Sequence, residues 1–110
     1  MAELRIERHP AVTGEDLPDI YAFIAKDDAA AAGRVLDAIG GTFTLLAREP
    51  EAGMRYRTRS ARLGGLRMIP VAGFRNYLVF YRVAGGSIRI LYVAHGARNL
   101  ARLFPEDRRD

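Results

Sequence analysis

An α+β fold is predicted, with an N-terminal strand, an antiparallel helical hairpin packed on a mostly antiparallel sheet of about four strands, and a short C-terminal helix. Three observations carry it. Leu4 to His9 alternates apolar and charged residues as a half-exposed strand does; two segments between Leu17 and Arg48 repeat their apolar residues at helical spacing; and Leu66 to Ala94 divides into three strand-like runs joined by glycine-bearing turns. A chain of 110 residues needs only one core, so residues 1–110 are read as a single domain.

Each element has its own signals. Pro10 cannot donate to a ladder and closes the first strand. Asp16 is the predicted N-cap of the first helix, with Pro18 in the first turn and Asp19 at the positive end of the helix dipole. Leu17, Ile20, Tyr21 and Ile24 then form one apolar stripe. After the polar break Lys26-Asp27-Asp28, Asp28 or a neighbour caps a longer helix whose stripe is Ala32, Val35, Leu36, Ile39, Phe43 and Leu46, ending near Arg48 because Pro50 follows. Gly40-Gly41 interrupts it at a cost of about 1 kcal/mol each. The stripe resumes in phase, so an unbroken helix is expected, with close approach of a neighbouring backbone as the compensation; the alternative is a break at Gly40.

Glu49 to Gly65 reads as a loop with a short extended piece at Met54 to Arg57, which would set Arg55, Arg57 and Arg59 on one side. Leu66 to Val71, Arg75 to Val83 and Ile88 to Ala94 are the sheet strands. Ala84-Gly85-Gly86-Ser87 is the hairpin turn between the last two, its glycines supplying positive φ. Ala97 to Phe104 places Leu100, Leu103 and Phe104 on one helical face, and PEDRRD is a polar end.

Charge is distributed by position. The net charge is +4, yet residues 1–51 hold ten acidic and five basic residues, whereas residues 52–104 hold ten arginines and no Asp or Glu. Such a single-signed block attracts nucleic acid, an acidic protein segment or another negatively charged assembly. Sixteen arginines against one lysine fits a biased genomic composition, so the ratio carries no argument about guanidinium chemistry. The chain has no cysteine, which excludes disulfides, thiolate nucleophiles and cysteine-bound zinc. No apolar run is long enough to span a bilayer, and MAELRIERHP has charges where a signal peptide carries its apolar segment, so no membrane association and a cytoplasmic location are expected.

No Ser-His-Asp arrangement, phosphate-loop pattern or metal-ligand spacing is present, and no cofactor is expected. The one constellation with chemical meaning is that of RNA cleavage, which needs a base, an acid and cations for the developing phosphorane. Arg75, Arg82, Arg98 and His95 are the available groups, His95 alone having an unperturbed pKa suited to proton transfer near neutrality. A single His at a strand end is more often a structural residue. The aromatic run Phe74, Tyr77, Phe80 and Tyr81 is read in the same way, as core on one sheet face and an apolar strip on the other that a partner could cover.

PVAGFRNYLVFYRV, a Gly-Gly turn, IRILYVAHGARNL and a final LF resemble the ParE branch of the RelE/ParE toxin superfamily, over nearly the whole chain. The resemblance implies the toxin of a type II toxin–antitoxin system that inhibits DNA gyrase by binding. It implies hetero-oligomers with a cognate antitoxin carrying a DNA-binding N-terminal domain and an acidic C-terminal segment. The mRNA-cleaving branch, whose partners are ribosome and mRNA, has an Arg after the first Tyr of the central strand and a Tyr or His near the C-terminus. Here Leu78 follows Tyr77 and the terminal position matches Phe104, so only Arg98 fits. These departures favour non-catalytic action; the alternatives are a ribonuclease using His95 and Arg98, or a degenerate toxin that binds only its antitoxin. The expected target- or antitoxin-binding residues are Arg55, Arg57, Arg59, Arg75, Arg82, Arg98 and Tyr81.

Overall fold

A computed structural model describes residues 3–59 and 64–96. The predicted C-terminal helix lies outside them. Strand β1 (Arg5–Arg8) leads through a π-helical turn (Val12–Asp16) into α1 (Leu17–Ala25) and α2 (Ala29–Arg48). Then follow β2 (Met54–Arg55), β3 (Arg67–Val71), β4 (Phe74–Ala84) and β5 (Ser87–His95). The sheet order is β1-β5-β4-β3-β2, with β1 parallel to β5 and every other neighbour antiparallel. The sheet thus has five strands, because the extended piece at Met54 pairs with β3 instead of remaining loop.

The helical hairpin covers one face. Ala32, Val35, Ile39, Phe43 and Leu46 of α2 are buried and pack with Val71, Val79, Tyr81, Ile88, Ile90 and Val93 of the sheet, Ala32 excepted from the central cluster. Leu36 reaches that cluster only in part. In α1, Ile20 is buried but Tyr21 is 43% exposed. A helix of nine residues presents a narrow contact to its neighbour, and Tyr21 falls at its margin.

Asp28 caps α2 as expected, accepting from the Ala31 N–H at 3.0 Å. Asp16 does not cap α1. The preceding residues are already helical, so no cap is needed there, and its carboxylate accepts the Val93 N–H of β5 at 3.0 Å instead. This bond lies beyond the point where β1 stops pairing with β5 at Ile90. It satisfies a backbone donor on a strand edge that no other described residue pairs with. Between β4 and β5 the register shifts by one at Leu91, a bulge that precedes the donor Asp16 receives.

Helix α2 runs unbroken through Gly40 and Gly41. The expected close approach is absent among the described residues: a Cβ at either position would meet nothing within 4 Å of them. At the β4–β5 turn, Gly85 and Gly86 have φ of 53° and 79°, the pair of positive values that a two-residue hairpin with matching twist requires.

The other sheet face carries a second, smaller apolar cluster around Phe80 and Leu66, with Tyr56, Met68, Leu78, Leu91 and Tyr92 packed against it. Tyr56 and Tyr92 meet the Phe80 ring edge-on at 5.1 and 6.4 Å. The strip expected to await a partner is therefore partly covered by the chain itself, since Tyr56 folds back through its N–H bond to the Leu66 carbonyl.

Candidate partner-binding surface

The register of the strands places the arginines. Arg55 of β2 pairs with Arg67 of β3, which pairs with Tyr81 of β4; next along β4, Arg82 pairs with Arg89 of β5, which pairs with Glu7 of β1. Arg67 and Arg55 thus share the sheet face of Tyr81, whereas Arg82 and Arg89, one residue further along, lie on the opposite face at the same end of the sheet. Arg75 sits at the other end of β4, roughly 23 Å away at about 3.3 Å per residue, beside a shallow hollow of about 450 Å³ bounded by residues 73–77. The candidate arginines therefore do not form one constellation.

Their charges are not wholly uncompensated within the chain. Glu7 of β1 reaches Arg89 at 3.3 Å and Arg5 at 3.7 Å, and accepts the Ser87 hydroxyl at 3.1 Å. Arg89 directly opposite Arg82 is a like-charge pair that costs stability unless a counter-charge is near, and Glu7 supplies one. Arg67 lies 3.9 Å from Glu51. Both carboxylates come from the acidic first half. Arg55, Arg57 and Arg75 are exposed and make no ion pair among the described residues. Arg59 is also exposed, whereas Arg82 is half-buried. Arg98 lies outside the described residues.

Tyr81 is not a surface residue. Its ring is fully buried, because the alternation of β4 puts it with Val79 on the helix-covered face, and the bulge at Leu91 of β5 brings Ile90 opposite it. Its hydroxyl donates to the Pro50 carbonyl at 2.8 Å and accepts the Gly53 N–H at 2.9 Å. Burial pushes the phenol above its ordinary pKa, against smaller opposing pulls from the Gly53 bond and the Arg67 charge. Gly53, Arg67 and the acids Glu7 and Glu51 are site residues that sequence reasoning missed. Each acts on a group far away in the chain, and only the glycine in a Pro-flanked turn hinted at a close approach.

His95 of β5 packs edge-on against Tyr77 of β4, ring centroids 5.3 Å apart. That is a packing contact at a strand end. Leu78 belongs to the apolar cluster around Phe80. Among the described residues no group of three His, Asp or Glu side chains is placed to hold a metal, and no helix is long and apolar enough to cross a membrane.

No curated protein matches the chain. Among solved structures, a chain of the chromosomal ParDE toxin–antitoxin system from P. aeruginosa is similar in fold, with a TM-score of 0.64 at 19% sequence identity, the match covering 84% of this chain and 96% of that one. The family model for the ParE toxin of the type II toxin–antitoxin system parDE matches residues 13–100. The chain therefore belongs to the ParE toxin family of type II toxin–antitoxin systems.

Proposed function

We propose that this ParE-family toxin acts by binding DNA gyrase and is held inactive by a cognate antitoxin whose acidic C-terminal segment meets the exposed arginines. The observation that carries the reading is the set Arg55, Arg57 and Arg75, exposed and without an ion pair among the described residues, in a stretch of chain that holds no acid between residues 52 and 104. Uncompensated guanidinium groups on a folded surface suit an acidic protein segment. Leu78 within an apolar cluster supports inhibition by binding over phosphodiester cleavage, since one lost electrostatic donor costs about 10²- to 10³-fold in rate.

The test is expression of the chain alone, followed by a supercoiling assay with purified gyrase and mapping of transcript ends. Growth arrest, inhibited supercoiling and intact messages are the expected results, with relief on co-expression of the adjacent antitoxin gene. Discrete cuts in translated messages would replace this reading with the ribonuclease. Arrest-free accumulation of folded chain would leave a degenerate member that binds antitoxin alone.

A further inference from the structure

Strand β2 is two residues long, too short to hold its place by ladder bonds alone, yet Arg55 and the arginines after it depend on it for their position. The turn immediately before it is pinned from below. The Tyr81 hydroxyl donates to Pro50 O and accepts from Gly53 N, and Arg67 Nη1 donates to Gly53 O at 2.7 Å. Two side chains from β3 and β4 thus make three hydrogen bonds within four residues of chain. The fit is close: a Cβ on Gly53 would lie 2.6 Å from the Tyr81 hydroxyl oxygen and 2.9 Å from the Met68 carbonyl oxygen, so the turn can seat only with glycine there.

We propose that Tyr81, Gly53 and Arg67 are positioning residues for partner recognition, forming a buried latch that fixes the Arg55–Arg57 segment in its binding conformation. The inference rests on the reading of Arg55 and Arg57 as partner-contacting groups. A segment already ordered loses less conformational freedom on binding than a free loop. The latch touches no partner; it acts through the arginines that do.

The test uses the full chain and a short fluorescein-labelled polyglutamate peptide at low ionic strength, read by fluorescence anisotropy. Tyr81→Phe removes only the hydroxyl, and Gly53→Ala lifts the turn while leaving the tyrosine in place. Each is expected to weaken binding about three- to tenfold, the worth of one or two hydrogen bonds, while amide protection along β4 and β5 is unchanged. Adding Arg55→Ala and Arg57→Ala to Tyr81→Phe is expected to cost less than the sum of the separate losses. A Tyr81→Phe and a Gly53→Ala chain that bind like the wild type, when Arg55→Ala/Arg57→Ala binds more weakly, overturns the latch and leaves the arginine reading standing. If Arg55→Ala/Arg57→Ala binds like the wild type, the arginine reading fails and the latch falls with it.

Discussion

The Tyr81 hydroxyl is both donor and acceptor, and its folded-state pKa is raised by burial above the ordinary 10.0. A raised phenol pKa means that the folded chain keeps its proton after the unfolded chain has lost it. The stability from the neutral phenol is thus fully present below pH 10 and is lost as pH rises through the folded-state value. Urea unfolding midpoints are expected to hold steady through neutrality and fall above pH 10, and the fall is expected to shrink in Tyr81→Phe, which has no proton to lose. Asp16 gives a second expectation at this scale. Its carboxylate is the acceptor for Val93 N–H, so Asp16→Ala should lower stability by about 1.5 kcal/mol, the worth of a charge-assisted bond, without loss of helix content. The two residues also mark where sequence reasoning stops. Asp28 is a cap because its donor is three residues away, a local fact. Asp16 has the same local appearance, but its donor is 77 residues away, and no local pattern encodes that.

At the scale of elements, α2 was legible because its apolar stripe kept phase across twenty residues, and periodicity of that length outweighs two glycines. The reason for the glycines was not legible. Among the described residues the space beside both is open, so they serve no packing need there, and Gly40→Ala and Gly41→Ala should each raise stability by about 0.5–1 kcal/mol in urea denaturation. Strand β2 is the opposite case. Arg55, Arg57 and Arg59 alternate as a strand would, yet only Met54–Arg55 pairs with β3, and the Tyr81 contact that seats the turn before it comes from 28 residues further along. The alternation of β4 puts Val79 and Tyr81 under the helices and Phe80 on the other face. Alternation read from the sequence alone leaves that choice open, which is why Tyr81 was expected at the surface.

For the whole molecule, the acidic first half and the arginine-bearing second half meet within one sheet. Glu7 and Glu51 neutralise part of the second half, a pairing that the count of charges by position could not reveal, while Arg55, Arg57 and Arg75 stay exposed. Association with an acidic partner should therefore weaken as salt rises, with Arg55→Ala, Arg57→Ala and Arg75→Ala together flattening the dependence; titrations at several ionic strengths measure it. Glu7→Gln is expected to act in the other direction, strengthening low-salt binding while lowering stability, because it frees Arg89 and restores the repulsion with Arg82.

The pairing of β1 with β5 joins the two ends of the described chain: Arg5 N–H bonds to Gly86 O, and His9 N–H to Ile90 O. Among the described residues, β1 finds its sheet neighbour only some eighty residues further along the chain. Closing so long a loop is slow compared with forming the helical hairpin. A chain that stops before Ser87 lacks the strand on which β1 pairs and cannot complete its sheet.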